Sequence, residues 1–153
     1  MNMTAPQAVE IRPMLLSDVE SIILIEREIF LFPWSPGNFA DSIRTGYACH
    51  VLQQADTLMG YGIMMMSPEE GHILTLGIAA DYQKKGWGRK LLQFLIQSAR
   101  EQNAKSVFLD VRESNRGAAQ LYQQMGFQHI ATRKGYYPAM CGREDAFVMR
   151  LML

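Results

Sequence analysis

The spacing of apolar and polar positions changes several times along the chain, and each change marks a different element. "AVEIRPML", residues 8–15, alternates and predicts a short first strand. Ser17-Asp18-Val19-Glu20 has the S-x-x-E spacing of a capping box, in which serine and glutamate satisfy each other's free backbone N–H groups. A helix follows, with Val19, Ile22, Ile23 and Ile29 among its buried positions. "FPWS" ends it, since Pro33 cannot continue a helix. Ser35 and Pro36 then supply the N-cap and first-turn proline of a shorter second helix that stops near Thr45-Gly46.

From Tyr47 the period becomes that of strands. "YACHVLQQ" and "LMGYGIMMM" flank a hairpin turn at Gln54-Ala55-Asp56-Thr57, and "GHILTLGIAA" adds a third consecutive strand, which predicts an antiparallel meander. Leu91, Leu92, Leu95, Ile96 and Ala99 share one helical face, with Lys90, Gln93, Gln97 and Arg100 largely opposite, as in an amphipathic helix laid on a sheet. "SVFLDV" reads as a β-branched strand. Residues 116–125 carry Ala118, Leu121, Tyr122 and Met125 at helical spacing, and Gly126 is the stop. Two last strands, near 127–133 and 146–152, enclose a loop rich in glycine, tyrosine and charge. The order is βααβββαβαββ, a mixed α/β (α+β) sheet in one domain over residues 1–153, with residues 1–7 frayed.

Composition narrows the partners. At 153 residues the chain suits a single domain. Fifteen Lys and Arg balance fifteen Asp and Glu, so the net charge of zero argues against a general nucleic-acid or anionic-membrane binder. Cys49 and Cys141 form neither a disulfide framework nor a C-x-x-C pair, which fits reduced thiols in a cytosol. His50, His72 and His129 lack zinc-ligand spacing, so no metal is expected. No apolar run approaches the ~20 residues of a membrane span, and "MNMTAPQ" lacks the regions of a signal peptide. The expectation is a cytoplasmic protein without membrane contact, a monomer or weak dimer.

The densest chemical signal is "DYQKKGWGRKLL", residues 81–92. A dinucleotide fingerprint fails, because Leu91 stands where the third glycine belongs, and a P-loop fails for want of Gly-Lys-Ser/Thr. What remains is Gln83-x-x-Gly86-x-Gly88 between a strand and a helix, with N–H groups of residues 84–89 at the positive end of a helix dipole. Lys84, Lys85, Arg89 and Lys90 add charge. The residues alone fit a pyrophosphate cradle and a tight turn with a solvated basic rim equally well.

Together with "LTLGIAADYQKKGWGRKLL", "ESNRGAAQLYQQMGF" and the element order, this motif resembles the GNAT superfamily of acetyl-coenzyme A dependent N-acetyltransferases. More narrowly, "FPWS", "VRESNRGAAQLYQQMGF", "YYP" and "GREDAFVM" are similar to the RimI family, which acetylates the N-terminal alanine of small-subunit ribosomal protein eighteen. The resemblance spans nearly the whole chain and favours the cradle. It implies a fourth strand splayed from the fifth, and a pantetheine arm paired with the backbone of Leu76, Gly77 and Ile78. Pyrophosphate binding falls to Lys84, Lys85, Gly86, Trp87, Gly88 and Arg89, with Gln83 also among the cofactor-binding residues. Asn115 contacts acetyl-coenzyme A, or is simply the N-cap of the next helix. Trp87 departs from the smaller residue usual between these glycines; because only backbone is needed there, its indole is expected to point outward or pack on the second helix.

Acetyl transfer to an amine needs a neutral nucleophile, an oxyanion holder and a proton for the thiolate. Tyr122 matches the family's proton donor, with a packed core aromatic as the plainer reading. It lies on the cofactor side in the resemblance. Asp110 stands where the RimI family carries a glutamate base; one methylene shorter, it would act through water, or it is a surface carboxylate paired with arginine. Phe32, Trp34, Tyr136 and Tyr137 are expected to wall the slot for the peptide N-terminus, and Glu144 or Asp145 to attract a cation after the alanine. The implied reaction is direct transfer through a tetrahedral intermediate. Two alternatives stay open: a lysine, polyamine or other small-amine acceptor, and a coenzyme A-binding sensor without turnover.

Overall fold

Residues 8–153 are described in this computed structural model, and the fraying expected of residues 1–7 lies outside them. Among the described residues seven strands and four α-helices follow in the predicted order. They are β1 Val9–Pro13, α1 Val19–Ile29, α2 Pro36–Thr45, β2 Ala48–Gln54, β3 Thr57–Ser67, β4 Glu70–Ile78, α3 Trp87–Glu101, β5 Ser106–Arg112, α4 Arg116–Gln124, β6 Gln128–Pro138 and β7 Arg143–Met152. The strands form one sheet in the order β1-β2-β3-β4-β5-β7-β6. β1/β2, β5/β7 and β6/β7 pair antiparallel and β4/β5 parallel. The β4/β5 ladder runs only from Glu70↔Ser106 to Ile73↔Leu109, although β4 continues to Ile78 and β5 to Arg112. The ladder therefore ends before either strand does.

Local signals act largely as read. Ser35 caps α2: its Oγ accepts the Asn38 N–H at 3.1 Å while Asn38 Oδ1 accepts the Ser35 N–H at 2.9 Å. The start of α1 is different. No Ser17/Glu20 box forms; Asp18 Oδ2 accepts the Leu15 N–H at 2.7 Å, and the Asp18 carboxylate takes both Arg12 guanidinium nitrogens at 2.8 and 2.9 Å. A bidentate charged partner outweighs a neutral serine cap, so the chain makes a 3-10 turn at Leu16–Asp18 before α1 begins. Within α1, Val19, Ile22 and Ile23 are buried, Ile29 only half-buried, and Ile25 and Glu26 are buried as well.

The last hairpin is longer than its pattern implies. β6 reaches Pro138 and β7 starts at Arg143, so most of the expected loop is paired strand. Polar side chains lock it: Arg143 donates to the Gly135 and Tyr136 carbonyls at 2.6 and 3.0 Å, and Asp145 accepts the Gly135 N–H at 2.9 Å. These bonds run side chain to backbone, which a period-2 pattern does not register.

By contact density the chain forms two compact units, Met1–Ile63 with Thr75–Leu92, and Met64–Leu74 with Gln93–Leu153. In the first, Ile22, Phe39, Leu52, Met59, Tyr61 and Leu91 are fully buried. In the second, Leu95, Ile96 and Ala99 bury the inner face of α3, each large aliphatic chain contributing about 2 kcal/mol. No helix among the described residues is long and apolar enough to cross a membrane.

Candidate functional site

In the first unit, β4 leads through a 3-10 turn at Ala80–Tyr82 into the loop before α3. Gln83 Nε2 donates to the Ile78 carbonyl at 2.9 Å, and Lys85 Nζ to the Asp81 carbonyl at 3.0 Å, so both side chains hold the loop itself. Lys84 and Gly86 adopt left-handed backbone, φ 61° and 88°, and a Cβ on Gly86 would meet nothing within 4 Å. The Lys90 N–H bonds the Gly86 carbonyl at 3.1 Å and closes the first turn of α3. The loop thus leads into the N-terminus of α3, the positive end of the helix dipole. Lys84 and Lys85 are exposed, Gly88 and Arg89 half-buried. Half-buried Trp87 carries the Lys90 ammonium 5.0 Å from its ring.

Upstream on β4, Leu76 and Ile78 are half-buried and Gly77 is buried. A Cβ on Gly77 would come within 2.5 Å of Tyr61 Oη, and one on Gly60 within 2.7 Å of the Gly77 carbonyl. Two glycines thus let β3 and β4 approach closely here. Phe32 is 39% exposed and Trp34 half-buried, with the Trp34 ring 5.1 Å from Phe39. The Trp34 N–H donates to Glu26 Oε2 at 2.9 Å, and Tyr61 donates to Glu26 Oε1 at 2.6 Å. Burial raises the Glu26 carboxyl above the usual range, its two hydrogen bonds opposing that.

In the second unit, Asp110 shares a strand face with Phe108 and Arg112. His72 Nε2 lies 3.5 Å from Asp110 Oδ2, and Arg133 Nε 3.4 Å from Oδ1. Hydrogen bonding from His72 chiefly, then the charge of both partners, holds the Asp110 carboxyl below the ordinary value against its burial. Tyr122 is 9% exposed, 5.8 Å from the Phe127 ring, and burial pushes its hydroxyl up to about 12. Tyr137 is likewise pushed up to about 12, by burial first and by Asp110 next, under an Arg112 guanidinium 4.4 Å from its ring. Tyr136 packs against it at 4.9 Å and is 47% exposed.

Several side chains are already occupied. Asn115 Oδ1 accepts the Ala118 N–H at 3.2 Å and caps α4. Glu144 accepts from Arg112 at 2.7 Å and from the Ser114 N–H at 3.2 Å, and Arg112 also donates to the Pro138 carbonyl at 2.7 Å. Asp145 holds Gly135 and faces the exposed Lys134 at 3.3 Å. The structure thus pairs Asp110 with His72 and Arg133, and Arg112 with Glu144 and the Tyr137 ring. It adds two residues that sequence reading passed over, His72 and Glu26. A signal existed for each: Glu26 continues the Val19, Ile22, Ile23 stripe at i+7, and His72, opposite Phe108 in the parallel register, lies diagonal to Asp110.

The Acetyltransferase (GNAT) family model matches residues 19–127. The ribosomal protein bS18-alanine N-acetyltransferase of Escherichia coli strain K12 is 33% identical over 135 residues, 88% of this chain and 91% of that protein. The Haemophilus influenzae enzyme of the same name is 34% identical over 137 residues, 89% of this chain and 93% of that protein. A crystal structure of the Escherichia coli ribosomal-protein-S18-alanine N-acetyltransferase aligns with a TM-score of 0.89 at 32% identity, covering 95% of this chain and 94% of that one.

Proposed function

Since the chain belongs to the GNAT family and is an acetyl-coenzyme A dependent N-acetyltransferase, we propose that its acceptor is the N-terminal alanine of small-subunit ribosomal protein eighteen. The carrying observation is the 33% identity, over 88% of the chain, to an enzyme named for that reaction. Both units serve this reaction as one catalytic domain.

Acetyl-coenzyme A supplies the thioester carbonyl that the amine attacks. The loop supports such a ligand: left-handed backbone at Lys84 and Gly86, open space at Gly86 and the positive end of the α3 dipole suit a pyrophosphate. Lys84, Lys85, Gly86, Trp87, Gly88 and Arg89 hold it, while Gln83 fixes the loop. Leu76, Gly77 and Ile78 offer backbone to the extended arm, and an N–H near Ile78 supports the oxyanion. Asn115 contributes its amide N–H groups, its oxygen being spent on α4.

As the C–N bond forms and the C–S bond breaks, the ammonium proton leaves through water to Asp110, which His72 orients. An N-terminal amine titrates near ~8, so a carboxylate of low basicity suffices. Tyr122, protonated across neutral pH, gives its proton to the thiolate. Phe32, Trp34, Tyr136 and Tyr137 contact the acceptor. Glu144 is neutralised by Arg112, so attraction of a cation after the alanine falls to Asp145, whose counter-charge is an exposed lysine.

The test offers acetyl-coenzyme A with an Ala-Arg N-terminal peptide, an N-terminally blocked lysine peptide or spermidine and follows thiol release. Preference for the Ala-Arg peptide is expected. Preference for the lysine peptide or spermidine replaces the proposed acceptor, and coenzyme A binding without thiol release from any of them marks a sensor.

A further inference from the structure

Glu26 sits 2% exposed on the core-facing stripe of α1, where an aliphatic side chain would bury without penalty. A carboxylate at that depth is tolerated only when its lone pairs are used, and here the two oxygens serve two different elements. Oε1 takes the Tyr61 hydroxyl of β3 at 2.6 Å, and Oε2 takes the backbone N–H of Trp34, in the turn after α1, at 2.9 Å. Tyr61 is wholly buried, and its hydroxyl fills the space where residue 77 would carry a Cβ, 2.5 Å away. The phenol therefore bears on the backbone of Gly77. An aromatic path runs in parallel, Trp34 to Phe39 at 5.1 Å and Phe39 to Tyr61 at 5.6 Å, edge to face.

We propose that Glu26 is a positioning residue that ties the Phe32–Ser35 turn to the Leu76–Ile78 segment of β4 through the Tyr61 hydroxyl. The role rests on the reading above, in which the turn contacts the acceptor and the strand segment holds the acyl arm. It assigns Glu26 no proton transfer. The carboxylate sets the spacing of two backbones, and an error of about 1 Å in such a spacing costs on the order of a hundredfold in rate.

Two substitutions separate positioning from mere stability. Glu26→Gln keeps an oxygen for the Trp34 N–H and turns an amide toward Tyr61, whereas Glu26→Met keeps the shape and offers neither link. Each is assayed for acceptor KM, for coenzyme A affinity by calorimetry, and for hydrogen exchange at the Trp34 amide. Glu26→Gln is expected within about threefold of the parent on all three, and Glu26→Met to raise acceptor KM and Trp34 exchange about tenfold or more, with coenzyme A affinity within about twofold. A folded Glu26→Met protein with unchanged KM and exchange overturns the proposal. So does a parallel loss of acceptor and coenzyme A affinity. Should Glu26→Met not fold, Tyr61→Phe carries the test, with a selective rise in acceptor KM expected and an unchanged KM fatal. If the parent acetylates none of the peptides, the acceptor reading fails, yet Trp34 exchange still decides the role of Glu26.

Discussion

Tyr122 and Asp110 carry opposite demands, and their surroundings set them apart. Burial keeps the Tyr122 hydroxyl protonated up to about pH 12, as the donor role proposed for it requires. Tyr122→Phe removes only the hydroxyl from a packed ring and is expected to lower kcat about a hundredfold with KM nearly unchanged, measured by thiol release at saturating acceptor. Asp110 stays ionised because His72 and Arg133 favour its charge. Asp110→Asn is expected to slow acetylation more at low pH, where the acceptor is mostly ammonium, than at high pH, where the amine is already neutral. A rate unchanged throughout removes Asp110 from the mechanism.

Among the elements, β4 and the loop after it hold two glycines for different reasons, and the same substitution tests both. Gly86→Ala places a side chain in open space at φ 88°, so its cost is backbone strain of about 1 kcal/mol. Because that strain acts in the proposed cradle, calorimetry should show weaker coenzyme A binding with a small change in melting temperature. Gly77→Ala drives a Cβ to 2.5 Å from a buried tyrosine oxygen held by Glu26. Overpacking there is expected to cost about 1–3 kcal/mol of stability, read from denaturant unfolding. Similar losses from both would mean that close packing at Gly77 is relieved elsewhere.

For the whole molecule, buried carboxylates shape acid stability with opposite signs. Asp18, hydrogen-bonded by Arg12, and Asp110 have lowered pKa values, so their contributions are complete above the ordinary carboxylate pKa of about 4 and are lost as pH falls through the folded values. Glu26 has a raised pKa, so its contribution is complete below the ordinary value of about 4.3 and is lost as pH rises toward the folded one. Melting curves of the parent should therefore drop below about pH 4, and Asp18→Asn should flatten part of that drop. Relative to the parent, Glu26→Gln should gain stability as pH rises past about 4.3. A difference independent of pH would show that Glu26 titrates alike in both states.

Local rules decided much of this protein. The 3.6-residue period placed α3 and its buried Leu91, Leu92, Leu95, Ile96 and Ala99, and Ser35 with Pro36 located the start of α2. Period two put Asp110 on the half-exposed face of β5. The Gly86-x-Gly88 spacing marked a turn between β4 and α3 that suits a cradle or a plain tight turn, and left-handed backbone at Gly86 follows from residue type. What only the tertiary structure decided involves side-chain partners that no periodic pattern records: Arg12 binding Asp18 where a Ser17/Glu20 cap was expected, Arg143 and Asp145 zipping the last hairpin, His72 beside Asp110, and Glu26 between Trp34 and Tyr61. A local pattern records which face a residue shows, but a charged side chain binds whichever group the fold brings within about 3 Å, and that choice is made across the sheet.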